Sequence, residues 1–417
     1  MKIDSVSARS ISDTRGRATI ETTLSAGAFT AVASVPSGKS TGIHEALELR
    51  DADGSVASAI ANVNGEIANA LIGRDFVTAD ELDTVLIELD GTPNKSRLGA
   101  NALLSVSIAT ARLFAQEEGV PLWKSISKRA GTTPSAPRLY INMMNGGTHV
   151  HPSVALPRPS VAFGEGGAKG DRFPLPFQEY LLVVEGKTSD ALPIAREAFA
   201  KLGKWLGAGV PMGDEGGYAP SFDTLEKPFE LLAELVQEFP HTSIAVDAAA
   251  SELFKNDHYE LLGKSYSAPE LTTIYGSIVA QFPIHSIEDP FDEESADDFT
   301  RLTALLSEKV LIIGDDLTVT NPVRIKEAAE RKEINAVLIK PNQIGTVREA
   351  IQAVQATYAE GFAAVASHRS GETDDTFIAD FAYGIGAHGI KAGGLAQSER
   401  LAKYERLLAI ESEIETL

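Results

Sequence analysis

Acidic residues stand where three short apolar runs end. Ser243 to Val246 runs into Asp247, Phe282 to Ile287 into Glu288 and Asp289, and Val310 to Ile313 into Asp315 and Asp316. Three carboxylates with no Cys or His beside them form a hard oxygen set, which suits Mg²⁺. The alternative is that each is a solvated ion pair with a nearby Lys or Arg. Two lysines follow in the same manner, Lys340 after Ile334 to Ile339 and Lys391 after Gly389-Ile390. A lysine beside a divalent cation loses preference for its ammonium form and can act as a neutral base. Phe362 to Ala366 leads to Ser367, His368, Arg369 and Ser370. An Arg next to a Ser suits a phosphate, the guanidinium offering a planar fork.

Other candidates lie earlier in the chain. Met212 to Gly217 sets Asp214 and Glu215 in a glycine-rich turn, Glu179 follows Gln178, and His149 follows Asn145-Gly146-Gly147. Singly, these read as structural. With the rest they complete a metal cage, a lysine base, an acid and a phosphate clamp. That set points to proton abstraction next to a carboxylate, with a metal holding the enolate-like charge. A positioned base contributes only about 10²–10⁴ in rate, so most of the stabilisation must come from cations at the developing charge.

Elements must bring these groups together. By subtraction, the last five strand ends, from Glu288 through Asp315, Lys340 and His368 to Lys391, are 27, 25, 28 and 23 residues apart. Between them sit helix starts: capping boxes at Ser267 to Glu270 and Thr346 to Glu349, and an N-cap at Asn321 before Pro322. Gly361 is placed to stop the helix that begins at Thr346. Strand then helix, repeated, is the pattern of a parallel α/β barrel whose strand C-termini gather at one mouth. Periodicity alone leaves an open doubly wound sheet as an alternative. The first part differs in texture. Ala18 to Ser34 alternates as antiparallel strands do, Gly42 to Gln116 turns helical, and Gly131 to Pro137 is a breaker cluster. The expected organisation is a smaller α+β domain over 1–135 and a catalytic barrel over 136–417. Residues 151–176, rich in Pro and Gly, read as a long loop, either a lid or a tolerated insertion.

Composition narrows the partners. The 417-residue chain carries a formal net charge of −21, which disfavours nucleic-acid or anionic-membrane binding. Any phosphate site must be built from local Lys, Arg and backbone donors. With no cysteine there is no disulfide and no thiolate chemistry. No apolar run approaches the roughly 20 residues of a membrane helix, and Met1 to Asp4 lacks a signal-peptide core, so a cytoplasmic location is expected.

Several strings resemble the enolase family over almost the whole chain. They are Val35 to Gly42 with His44 to Asp51, Leu98 to Ala102, Asn145 to His149, Phe177 to Glu179, Gly213 to Pro220 and Ser286 to Phe291. Gly314 to Pro322, Lys340 to Gly345, Ser367 to Thr373 and Ser398 to Tyr404 complete the set. The resemblance implies a modified TIM-type (β/α)8 barrel capped by a smaller N-terminal α+β domain. It implies a Mg²⁺-dependent hydro-lyase of glycolysis, phosphopyruvate hydratase, that interconverts 2-phosphoglycerate and phosphoenolpyruvate. Asp247, Glu288 and Asp315 would hold the first Mg²⁺, and Ser40, with substrate, a second. Lys340 would take the C2 proton, Glu215 with Glu179 would help expel the C3 hydroxyl, and Lys391 would face the substrate carboxylate. His368 would line the site, Arg369 and Ser370 would bind phosphate, and His149 and Gln178 would be further contacts. A homodimer, or an octamer assembled from dimers, is implied as well. Two alternatives are a lyase or epimerase of the same superfamily acting on another carboxylate, and a non-catalytic scaffold.

The chain departs from the family pattern at Lys39, where the loop usually carries Ala, and at Gln397, where an Arg usually precedes Ser-Glu-Arg. Arg15 is kept within Asp13 to Ala18. Lys39 either points to solvent or adds a positive charge that weakens, or partly replaces, the second metal.

Overall fold

The computed structural model describes residues 1–39, 41–150 and 173–416. The chain opens with an antiparallel meander, β1 (Ser5–Ser12), β2 (Ala18–Ala26) and β3 (Phe29–Ser34). The alternation read from Ala18 to Ser34 is the β2–β3 hairpin, in which Glu21 pairs with Ser34 and Ala26 with Phe29. Helix α1 (Ala100–Glu118) lies across β2 and β3. Its Ala-rich sequence lets backbones approach closely, and the side chains from Ala100 to Ala111 are all buried. Gly119, at φ +67°, ends it in the left-handed conformation that a side chain resists. Residues 133–137 carry no helix or strand, as the breaker cluster suggested.

The barrel follows. Its strands are β4 (Arg138–Asn145), β5 (Glu179–Val184), β6 (Thr242–Asp247), β7 (Ile284–Glu288), β8 (Leu311–Gly314), β9 (Ala336–Ile339), β10 (Ala363–Ser367) and β11 (Gly389–Lys391). They close in the order β7-β8-β9-β10-β11-β4-β5-β6. All six apolar runs singled out in the sequence are barrel strands, so the open-sheet alternative falls. The other two, β4 and β5, escaped the rhythm for a topological reason. β5 runs antiparallel to both neighbours, so the chain between β4 and β5 need not return by a helix. Of the 151–176 stretch, 151–172 lie outside the described residues, and Phe173–Pro174 pairs with Ser221–Phe222.

Side chains alternate across the barrel wall. Leu181 and Val183 point inward and join Tyr140, Ala245, Ile313, Ala336, Leu338 and Val365 in a packed plug. Tyr180 and Leu182 point outward into the larger core under the surrounding helices. Those helices start as expected: Ser267 and Glu270 form a capping box, Thr346 caps with Glu349, and Asn321 caps with Pro322 at the first helical position. Gly361, at φ +74°, sits just past the helix Val347–Ala359.

Helix α1, the loop before it and the end of β3 dock on the barrel through ion pairs and a backbone hydrogen bond. Arg112 grips Asp375 with two bonds of 2.7 Å, Asp375 also accepts from the Ser34 N–H, and Lys95 pairs with Glu349 at 2.8 Å. Ser37 and Gly371 exchange backbone hydrogen bonds. The loop after β3 is thereby held over the barrel mouth.

Candidate active site

The strand register sets the site. Asn145, Glu179, Asp247 and Glu288 are paired neighbours across β4, β5, β6 and β7. Because β5 is reversed, its first residue rather than its last joins this rim. Ser367 pairs with Lys391 farther round. Strand pairing thus brings residues more than a hundred positions apart onto one ring.

Lys391 reaches across it. Its Nζ donates to Asp247 Oδ2 at 2.8 Å and to both Glu288 oxygens at 2.9 and 3.0 Å, and lies 3.1 Å from Glu179 Oε2. Lys340 pairs with Asp315, which also accepts from Gln343 Nε2 at 2.9 Å. Asp289 is spent on structure: its carboxylate accepts the backbone N–H groups of Asp315 and Asp316 at 2.9 and 2.8 Å and shapes that turn.

The acidic triplet is therefore divided between two ammonium groups, one holding Asp247 with Glu288 and the other holding Asp315. Among the described residues, the groups of three whose ligating atoms approach within 4.8 Å are His149–Glu179–Glu215 and Asp289–Asp315–Asp316. The carboxylates outnumber the lysines, and burial pushes Glu288 well above the ordinary carboxylate range, with Asp247 adding to the effect. Such a set fits a hard divalent cation, since excess buried negative charge is what one would neutralise.

The expectation of a weakened ammonium is reversed in this arrangement. Burial works against the charge of each lysine, but Asp315 holds Lys340, and Asp247, Glu179 and Glu288 hold Lys391, above the usual lysine value. Neighbouring carboxylates win over desolvation.

The acid pair, Glu179 and Glu215, completes the rim beside Lys391. Glu215 is carried by the turn that Gly213 and Gly217 allow; a Cβ on Gly217 would meet Asn142 Oδ1 at 2.4 Å, and one on Gly213 would meet Asn145 at 2.4 Å. Glu215 and Glu179 share a hydrogen bond. Burial, and then the Glu215 charge, push Glu179 well above the usual range. Glu215 goes the other way: burial opposes its charge, but the facing imidazoles of His149 and His368 hold it low. His149 Nδ1 stands 3.7 Å from Glu215 and 3.8 Å from Glu179. Gln178 donates to Asp247 at 3.2 Å and leaves its carbonyl oxygen unpaired.

The phosphate corner is polar and tightly tied. Arg369 forms a two-pronged pair with Glu45 at 2.9 and 3.1 Å and donates to Asn342 at 3.1 Å. Ser370 Oγ accepts from Arg15 at 3.1 Å. Ser40 lies outside the described residues. Lys39 does not point to solvent. Its Nζ donates to Asp214 Oδ2 and to the Thr148 carbonyl, both at 2.6 Å, because an acid and a carbonyl on the facing rim lie within its reach. Gln397 donates to the Asp214 carbonyl at 3.3 Å.

A small polar cavity is bounded by Lys39, His149, Gln178, Glu179, Glu215, Asp247, Lys340, Ser367, His368, Arg369, Ser370 and Lys391. Every described site candidate from the sequence either lines it or, as Glu288 and Asp315 do, binds a lysine that lines it. Three groups went unrecognised as site components: Glu45, which occupies Arg369; Arg15, which reaches Ser370; and Arg400, which bonds His368 Nδ1. All three lie within strings that carried the family resemblance or its departures, which was the available signal.

Comparison with known proteins agrees along the chain. A family model for the enolase N-terminal domain matches residues 3–126, and one for the enolase C-terminal TIM barrel domain matches residues 153–416. A curated protein named "Enolase" from Methanopyrus kandleri (strain AV19) is 40% identical, with 99% of this chain and 96% of that relative covered.

Proposed function

The chain belongs to the enolase family and is a lyase of that family; from this premise we propose that it carries out the Mg²⁺-dependent, reversible dehydration of 2-phosphoglycerate to phosphoenolpyruvate. The observation that carries the reading is one cavity lined by Lys340 and Lys391 together with the hydrogen-bonded Glu179–Glu215 pair. Loss of water next to a carboxylate needs a base for the C2 proton and an acid for the C3 oxygen, and this cavity holds candidates for both.

In this reading Lys340 removes the C2 proton of the substrate. The C–H electron pair becomes the C2–C3 double bond, and the C3 oxygen leaves as water with a proton from the Glu179–Glu215 pair. Lys391 faces the substrate carboxylate, and His149 and Gln178 add contacts. Arg369 and Ser370 receive the phosphate, which requires Arg369 to exchange its bond to Glu45 for the phosphate oxygens.

Asp247, Glu288 and Asp315 would hold a Mg²⁺, with a second ion near Ser40. Bound there, the metal would stabilise the charge that builds on the substrate carboxylate. A lysine released from these acids would also lose the pairing that keeps it charged, which would restore Lys340 as a base.

The 1–135 and 136–417 division is proposed as the domain organisation, and a homodimer, or an octamer of dimers, as the assembly. No helix among the described residues is long and apolar enough to cross a membrane. Turnover of 2-phosphoglycerate, followed by absorbance of the enol product with and without Mg²⁺, tests the function. Absence of turnover with Mg²⁺ present rejects it.

A further inference from the structure

Arg400 is the third residue of the helix Ser398–Thr416, and none of it is exposed. All its donor atoms are engaged. Nη1 donates to His368 Nδ1 and to the Arg369 carbonyl at 2.7 Å. Nη2 donates to the Ser370 carbonyl at 2.8 Å and the Asp214 carbonyl at 3.4 Å, and Nε donates to Gln397 Oε1 at 3.1 Å. Room for this guanidinium comes from Gly393, where a Cβ would stand 2.7 Å from Arg400 Cδ.

A guanidinium offers only N–H groups and keeps its proton at any ordinary pH. The ring nitrogen facing it must therefore present a lone pair. For His368 that nitrogen is Nδ1, so the single proton of the neutral ring sits on Nε2. Nε2 is buried, has no well-aligned partner, and lies 3.3 Å from Glu215 Oε2 at the cavity wall. We infer that Arg400 is a positioning residue that locks His368 as the neutral Nε2–H tautomer, so that His368 presents an N–H to the cavity, facing Glu215, but carries no proton through the reaction.

The second proton of an imidazolium would have to occupy Nδ1, pointing at a cation. The charged groups around the ring agree. Glu215 is the acid that favours the imidazolium. Glu372 is spent on Lys403 at 2.9 Å and on the Arg369 N–H at 3.2 Å, and Arg400 opposes it. Burial, aided by Arg400, brings His368 down to about 4 against the pull of Glu215. The proton delivered to the leaving oxygen is then left to the Glu179–Glu215 pair. This conclusion deepens the proposed dehydration and rests on that reading, whereas the tautomer itself can be read without any substrate.

Histidine ¹⁵N resonances of the full-length, Mg²⁺-loaded enzyme test it, with His368 assigned by its loss in His368→Gln. The wild-type ring is expected to show the Nε2–H pattern unchanged from pH 8 to pH 5. Arg400→Met is expected to free Nδ1, giving mixed tautomers, a ring that titrates within that range, and kcat lower by about 10- to 100-fold, the usual cost of losing a partner that orients a functional imidazole. Arg400→Lys, still a pure donor, should restore the single tautomer and part of kcat. A wild-type ring that titrates between pH 5 and 8, or carries its proton on Nδ1, overturns the inference, as does an unchanged tautomer in Arg400→Met. Should Arg400→Met not fold, the wild-type titration and Arg400→Lys still decide. Failure of the dehydration reading looks different, since the wild-type enzyme would then not turn over 2-phosphoglycerate at all.

Discussion

The two ends of the barrel are built from the same eight strands yet differ in almost every physical respect. At the mouth, carboxylates and lysines are buried together, and polar atoms such as Gln178 Oε1 and His149 Nδ1 have no hydrogen-bond partner among the described residues. Toward the floor, the interior is filled by Tyr140, Leu181, Val183, Ile313 and their neighbours. Polar groups there form a short relay: Arg138 pairs with Glu185 and His388, and His388 meets His285 at 3.0 Å. The Arg138–His388 contact repeats the Arg400–His368 contact in kind, a guanidinium fixing an imidazole tautomer. On the floor the released N–H turns to another histidine; at the mouth it faces a cavity. One end keeps unpaired buried polarity, which the proposed substrate and metal would complete, while the other carries the packing that holds the ring closed.

The sharpest test of this division is at Lys340. Lys340→Ala should lower kcat by about 10²–10⁴-fold while the chain stays folded by circular dichroism. A loss under tenfold would remove the lysine from the chemistry and break the comparison. From the floor side, Leu181→Ala should cost about 2–5 kcal/mol in urea unfolding, with kcat of the folded enzyme little changed. If Leu181→Ala instead left stability intact and abolished turnover, the plug would belong to the site.

Acid should affect the two ends with opposite sign. Burial brings His285 and His388 down to about 4, from 6.5 in an unfolded chain. The unfolded chain therefore takes up protons first, and this stability is lost as pH falls from about 6.5 toward 4. Glu179, held well above its unfolded value, behaves in reverse: its contribution is full below the unfolded value and is lost as pH rises. The His285→Gln/His388→Gln double variant should flatten the acid loss of unfolding free energy, by on the order of 1–3 kcal/mol at pH 4.5 in urea unfolding. An unchanged pH dependence would show that the floor histidines do not titrate with unfolding. The smallest effect is expected at Lys39, whose pair with Asp214 is partly exposed. Lys39→Ala should shift the Mg²⁺ activation midpoint to lower concentration by about two- to fivefold, within the range of such pairs. Superimposable activation curves would mean that Lys39 does not act on the second metal.

Much of this was legible before any fold. Apolar runs ending in Asp247, Glu288, Lys340 or Lys391 report on themselves, because burial along a strand and a reactive residue at its end are local properties of the chain. Caps at Ser267, Asn321 and Thr346 are equally local, being satisfied by backbone groups two or three residues away. Strands β4 and β5 were harder, since their reversed pairing leaves no repeat to count.

What the residues alone determined was the inventory of charge at one rim and the alternation of elements that carries it there. Which cation meets which acid was decided only by tertiary structure: Lys391 between Asp247 and Glu288, Lys340 on Asp315, Lys39 on Asp214, Arg400 behind His368. The reason is physical. A pairing depends on distances of a few ångströms between side chains that are remote in sequence, and burial then sets which member of each pair keeps its proton.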